Sequence, residues 1–170
     1  MLKLIYAPDP ILKKESVSLP QVDEHHRELI KKMYEIMYSA NGVGLAAPQI
    51  GLNIRIFVLD AGSRDEEKKP LTMINPKIIS IDENNVPYEE GCLSFPEHFA
   101  EIDRPEKIKM EYLDEDNSKK VSTFTGFESR IIQHELDHLN GILFVDHLSR
   151  LKRDVIIRKM KKYKKEIEKI

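Results

Sequence analysis

Cysteine is almost absent from this 170-residue chain. Cys92 stands alone, so no internal disulfide is possible and a reducing, cytoplasmic setting is expected. Long apolar runs are missing as well. None approaches the roughly 20 residues that cross a bilayer. Met1-Leu2-Lys3-Leu4-Ile5 offers no apolar core of a signal peptide, so no membrane partner is expected. Net charge is small: a formal −2 and a pI of 6.3 lack the basic balance of a nucleic-acid binder, and no DNA partner is expected. Internal repeats and domain linkers are lacking too, which leaves residues 1–170 as one domain, long enough for a proper core. What the chain does have is charge of both signs, 33% of its residues, with Lys and Glu dominant. That composition suits a thermophile.

Local patterns give the elements. Pro8 and Pro10 keep the opening segment out of helix. Asp23 is a plausible N-cap for a helix to about residue 40, striped by Leu29, Met33, Ile36, Met37 and Ala40. His25 and His26 fall in its first turn and read as solvated surface. Residues 54–60 form a strand. Residues 62–70 are a charged, exposed loop, the expected place for disorder. Short β segments follow at 71–75 and 77–82. Alternating stretches at 98–103, 107–113 and 120–125, with a polar turn at 114–118, suggest an antiparallel hairpin. Residues 142–145 are a short apolar run. Residues 149–170 read as a final amphipathic helix striped by Ile156, Met160, Tyr163, Ile167 and Ile170. Its basic face is either simply solvated or a contact to an acidic or RNA surface. Together these predict an α+β fold: antiparallel β-sheets packed around a central helix, with an N-terminal helix and a C-terminal amphipathic helix.

That central helix, residues 127–141, carries Gln133-His134-Glu135-Leu136-Asp137-His138. Residues four apart share a helix face, so His134 and His138 can hold one metal ion between two imidazoles. Glu135, beside the first of them, can handle the protons of a water at that ion. Phe127 and Ile131 continue the same face and supply an apolar wall. A helix with two surface histidines by chance would show the same spacing, so a third ligand decides. The extended metzincin pattern would need it at Phe144, which cannot bind metal, and His147 comes three residues late. Asp137 points off the ligand face and is expected in a structural salt bridge, with Arg104 or Arg130 as partner. Gln133 is expected to orient the site from behind.

Two other stretches stand out. Gly42-Val43-Gly44-Leu45-Ala46-Ala47-Pro48-Gln49 reads as a tight loop whose small residues admit a ligand or another backbone. It lacks the endings of nucleotide-binding loops. Glu89-Glu90-Gly91-Cys92-Leu93-Ser94-Phe95-Pro96 places a cysteine where a strand core is not expected. The bland reading of such a thiol is a small buried hydrophobe.

With G-x-G-x-A-A-x-Q over residues 42–49, E-G-C-x-S over 90–94 and Q-H-E-x-D-H over 133–138, the chain resembles the bacterial peptide deformylases. Every fixed position of the three ordered motifs is met, and Asp9-Pro10-Ile11-Leu12 resembles the family's N-terminus. The resemblance implies that Cys92 is the third metal ligand beside His134 and His138, with the fourth position open. It implies Fe2+ as the working metal, one per chain, with Zn2+, Ni2+ or Co2+ able to substitute. It implies removal of the formyl group from the N-formylmethionine of nascent peptides, releasing formate. By analogy with the family, the Gln49 side-chain amide and the Leu93 backbone N–H receive the charge that develops on the formyl oxygen, and Glu135 moves the protons. Gly42, Val43 and Gly44, with Gly91, would let the peptide lie alongside as an added strand. Val43, Phe127 and Ile131 would line the methionine pocket. The family also implies a ribosome contact through the C-terminal helix.

Two other classes compete. A zinc endopeptidase would need a third ligand downstream, where only Glu166 or Glu168 is available, both among lysines. A non-catalytic zinc-binding module, its basic tail on RNA, would need a fourth protein ligand that the motifs do not offer.

Overall fold

The computed structural model describes residues 1–62 and 67–170. Among the described residues seven strands and three α-helices follow one another: α1 (Glu24–Ser39), β1 (Gly44–Ala46), β2 (Ile56–Asp60), β3 (Pro70–Ile81), β4 (Asn85–Cys92), β5 (Phe95–Pro105), β6 (Lys107–Leu113), β7 (Lys119–Thr125), α2 (Gly126–Leu139) and α3 (Arg150–Ile167). Five strands form an antiparallel sheet in the order β1-β2-β3-β6-β7, and β4 and β5 form a separate antiparallel pair. The expected α+β architecture, with sheets around a central helix, is the one observed.

The reason lies in β2. Its Ile-Phe-Val-Leu run is buried on both faces. Side chains alternate along a strand, so Ile56 and Val58 turn to one core with Leu29, Ile30, Met33 and Met37 of α1. Phe57 and Leu59 turn to the other, with Ile131, Ile132, Leu136 and Leu139 of α2. One strand thus joins two cores, and α2 lies between the large sheet and the β4–β5 pair. Ten of its fourteen residues are buried. Six of those ten are polar or charged, so α2 must be held by paired groups as well as by apolar packing.

A third core gathers Ala7, Leu12, Phe95, Ile102, Phe144, Val145 and Met160. Met160 anchors α3 there, with Ile156 and Tyr163 packed beside it. Ile170, expected on that stripe, is fully exposed beyond the helix end. Ser149 caps α3 through Lys152 N–H.

Helix ends follow their signals. The Asp23 side chain accepts from the His26 N–H at 3.0 Å, while the His26 ring accepts from the Asp23 N–H at 3.2 Å. His26 is therefore a capping residue rather than mere solvated surface. Beyond the end of α2, Gly141 takes a left-handed φ of +71°, which glycine accepts without penalty.

Four expectations change. The two β segments at 71–75 and 77–82 are one strand, β3. Its register shifts between Ile74 and Lys77, and Asn75 has a φ of +49°; this irregularity interrupts the alternation that marks a strand. The loop at 42–49 contains β1, which is too short to show a period. Residues 85–92 are a strand ending in Cys92, illegible because only Glu90 in it is buried. The stretch at 98–103 belongs to the longer β5, paired with β4 rather than with the hairpin β6–β7. Of the loop at 62–70, residues 63–66 lie outside the described residues.

Candidate metal centre and active site

Three elements converge on one end of α2. The helix brings His134, Glu135 and His138. The end of β4 brings Gly91 and Cys92. The short 3-10 turn after β1 brings Gln49. The ligand atoms of Cys92, His134 and His138 all lie within 4.8 Å of one another, with Cys92 Sγ 3.3 Å from His138 Nε2. Loop closure of more than forty residues separates the thiol from the histidines, yet the fold brings them together. Glu166 and Glu168 sit at the far end of α3 and outside this group.

The donor set fits a soft-to-borderline divalent metal: one thiolate and two imidazoles. The His134 Nδ1 bonds Glu90 Oε1 at 2.9 Å. A carboxylate there fixes the proton on Nδ1 and leaves the Nε2 lone pair for a metal. Burial lowers the proton affinity of His138 well below the ordinary range, as do His134 and Arg104 nearby, so its ring is neutral and able to coordinate.

Glu90 is the centre of a buried ion network that the sequence reading did not assign. Arg104 donates to it from Nε at 2.6 Å and from Nη2 at 2.9 Å, and Arg130 donates from Nη1 at 2.7 Å. Burial alone would raise the Glu90 carboxyl, but the bonds from His134 and Arg104 outweigh it and hold the group well below the usual carboxylate range. Its position directly before Gly91-Cys92 in E-G-C-x-S was the available signal. Asp137 pairs with Arg104 at 2.9 Å, as one of its two expected partners, and with His147 at 2.8 Å. Arg130 goes to Glu90 instead. Gln133 donates to Pro105 O and Ser129 Oγ. It ties α2 to the end of β5 one residue before His134.

Gln49 is pinned at both ends of its amide. Oε1 accepts from Ala46 N–H at 2.9 Å, which fixes Nε2 as the outward donor. That Nε2 lies 3.1 Å from Ser94 Oγ and 3.5 Å from Cys92 Sγ. Glu135 is buried against β1. A Cβ built on Gly44 would stand 2.5 Å from Glu135 Oε1, so only glycine leaves room for this carboxylate. Among the described residues, Glu135 Oε2 has no hydrogen-bond partner. Burial pushes the carboxyl up to about 7, in the range useful for proton transfer near neutrality. A cation held beside it would pull that value down.

These groups open into a cavity of about 640 Å³. Val43, Gly44, Gln49, Gly91, Cys92, Leu93, Phe127, Ile131, His134 and Glu135 all line it; His138 is buried behind them. Tyr88 was not anticipated. Its ring lies 6.0 Å from that of Phe127 and under the Arg130 guanidinium at 5.4 Å. Among the described residues β1 has a sheet neighbour on one side only, and Val43 and Gly44 at its start line the cavity.

The profile of the polypeptide deformylases matches residues 1–154. This chain belongs to the polypeptide deformylase family. It is 46% identical over 159 residues to the peptide deformylase of Rhizobium meliloti, covering 94% of this chain and 91% of that one. The crystal structure of the Ehrlichia chaffeensis peptide deformylase in complex with actinonin superposes with a TM-score of 0.91 at 39% identity, covering 96% and 97% of the two chains. The Thermotoga maritima peptide deformylase superposes with a TM-score of 0.82 at 42% identity, over 88% and 98%. Deformylases are metal-dependent hydrolases, and the Cys92, His134 and His138 group is where this deformylase can carry its metal. No described helix is long and apolar enough to cross a membrane.

Proposed function

We propose that residues 1–170 act as one cytoplasmic catalytic domain that hydrolyses the formyl amide of N-formylmethionyl nascent peptides. Family membership carries the reaction, and the Cys92, His134 and His138 group beside Glu135 carries the site. Cys92, His134 and His138 hold one ferrous ion, for which zinc, nickel or cobalt can substitute. When bound, that metal supplies Lewis acidity and lowers the pKa of water at the site.

The chain's own groups do the rest. Glu135 takes a proton from the attacking water and delivers it to the nitrogen of the departing methionine. The new C–O bond forms first and leaves charge on the formyl oxygen; the C–N bond then breaks as the nitrogen takes the proton, giving formate and a free amine. Gln49 Nε2, its partner oxygen locked by Ala46 N–H, donates to the formyl oxygen together with the Leu93 N–H. Such fixed donors typically contribute about 10²–10³ in kcat each. The peptide backbone adds to the open side of β1 at Val43 and Gly44, with Gly91 opposite. Main-chain pairing of this kind does not read side chains. Val43, Phe127 and Ile131, with Tyr88, take the methionine side chain.

The decisive experiment loads the protein with iron or cobalt without air and measures formate release from formyl-Met-Ala-Ser. Wild type releases formate with about one metal per chain, and Cys92→Ala loses both metal and activity. Metal retained at full occupancy in Cys92→Ala would reject the ligand set. Gly44→Ala keeps its metal, but displacement of Glu135 lowers kcat on the order of 10²-fold. Full activity in that variant would show that Glu135 need not sit against β1.

The α3 face bearing Lys161, Lys162 and Lys165 is exposed and docks this deformylase on ribosomal RNA. Reversing those three charges to Glu weakens co-sedimentation with ribosomes and leaves tripeptide turnover unchanged. Equal ribosome binding in both proteins would discard this contact. Charge reversal is the suitable test, because truncating α3 would strip Met160 from the third core.

A further inference from the structure

One residue outside the cavity is joined to the metal ligands by an unbroken series of hydrogen bonds. His147 closes the 3-10 turn Phe144–His147, and its side chain is 36% exposed. Its Nε2 lies 2.8 Å from Asp137 Oδ2. The same oxygen accepts from Arg104 Nη1 at 2.9 Å. Arg104 then forks onto Glu90 through Nε and Nη2, and Glu90 Oε1 meets His134 Nδ1. Three side chains, Asp137, Arg104 and Glu90, thus join His147 to the His134 imidazole.

The geometry favours a role in orientation. A guanidinium is planar, so fixing its Nη1 on one carboxylate sets the direction of its Nε and Nη2 toward the other. Asp137 is itself a helix residue on a rotatable side chain. A donor from outside α2 pins its Oδ2. His147 is well placed for this because its turn is tied down at the neighbouring Asp146. Asp146 Oδ2 accepts from Leu143 N–H at 2.9 Å and from Lys13 Nζ at 2.7 Å. Phe144, in the same turn, lies against the His134 ring with centroids 6.2 Å apart. The turn therefore touches His134 twice, once directly through Phe144 and once through the carboxylate series.

We propose that His147 is a positioning residue for the metal site: its Nε2–H holds Asp137, and through Arg104 and Glu90 sets the His134 ring that carries the metal. This rests on reading Cys92, His134 and His138 as the ligands. The imidazole acts here as a hydrogen-bond donor, a task that a glutamine amide reaching the same carboxylate can perform.

The test uses the intact protein loaded with zinc and a chromogenic chelator in excess. His147→Ala releases zinc about fivefold faster than wild type, below the roughly 10–100-fold typical of losing a partner that touches the ligand itself. His147→Gln restores the wild-type rate. With cobalt in place of zinc, the absorption of the site shifts in His147→Ala and returns in His147→Gln, while the melting temperature stays level across all three. Release at the wild-type rate in His147→Ala would overturn the proposal. So would equally fast release from the Ala and Gln variants, which would assign the effect to packing. A wild type that binds neither zinc nor cobalt would instead sink the ligand reading on which the proposal stands.

Discussion

Glu135→Ala abolishes useful formate release, lowering kcat by about 10²–10⁴-fold, and leaves the metal content unchanged. The residue lies beside His134 but is not in the Cys92, His134 and His138 group. Its carboxylate is buried with Oε1 against Gly44 and, among the described residues, Oε2 unpartnered. Glu90, the carboxylate bonded to His134, cannot take its place, being committed to two arginines as well. Glu135→Gln keeps the shape and removes the base, so it should be nearly as inactive. The two variants together separate proton transfer from packing. Activity in Glu135→Gln within tenfold of wild type would take the proton role away from this residue.

The same carboxyl has a consequence for stability once the metal is stripped. Burial raises it to about 7 from an ordinary 4.5. Between those values the unfolded chain gives up its proton before the folded one does. The metal-free protein therefore loses stability as pH rises from about 4.5 to about 7, by up to about 3 kcal/mol from this group. Metal-free Glu135→Gln should lack that loss and be the more stable protein at pH 8. Urea unfolding at pH 4.5 and pH 8 checks the sign, and a pH-independent difference between the two proteins would contradict it.

Glu90→Ala is expected to be the most damaging change to the fold. It leaves two buried guanidiniums without their shared anion and frees His134 Nδ1. Breaking a buried pair in this way costs about 3–5 kcal/mol, a large part of the stability of a domain this size. Glu90→Gln keeps the shape but loses the charge and should fall between the two. Because the Glu90 carboxyl is held well below its ordinary range, its contribution is fully present above pH 4.5. It is lost only as pH falls through the lowered folded value. Wild type should therefore lose stability in acid more steeply than Glu90→Gln. Parallel acid limbs for the two proteins would show that the network contributes no pH-dependent stability.

Much of the site could be read directly. His134, Glu135 and His138 are local: 3.6 residues per turn places the two imidazoles on one face whatever the rest of the chain does. Phe127 and Ile131 follow from the same period, and both line the cavity. Helix α1 was legible from Asp23 and its stripe, and β2 from its apolar run. Cys92 was not legible from spacing at all. It entered through the likeness of three motifs to a family, and only then did the lone thiol gain a role. β4 escaped notice because its residues are mostly exposed and carry no alternation. Tyr88, on that strand, was missed with it.

Short-range geometry is written in the chain: the spacing of the two histidines, the helix caps, the two-faced strand β2 and the three motifs that mark the family. Which distant groups meet was settled by packing. Glu90 finds Arg104 across 14 residues, Arg130 across 40 and His134 across 44. Asp137 takes Arg104 and His147 rather than Arg130. No pattern in the chain encodes those choices, because several arginines and carboxylates have the same local character. Burial selects among them: inside the protein a charge must find a partner in reach, and the packing of α2 between the two sheets sets which partners are in reach.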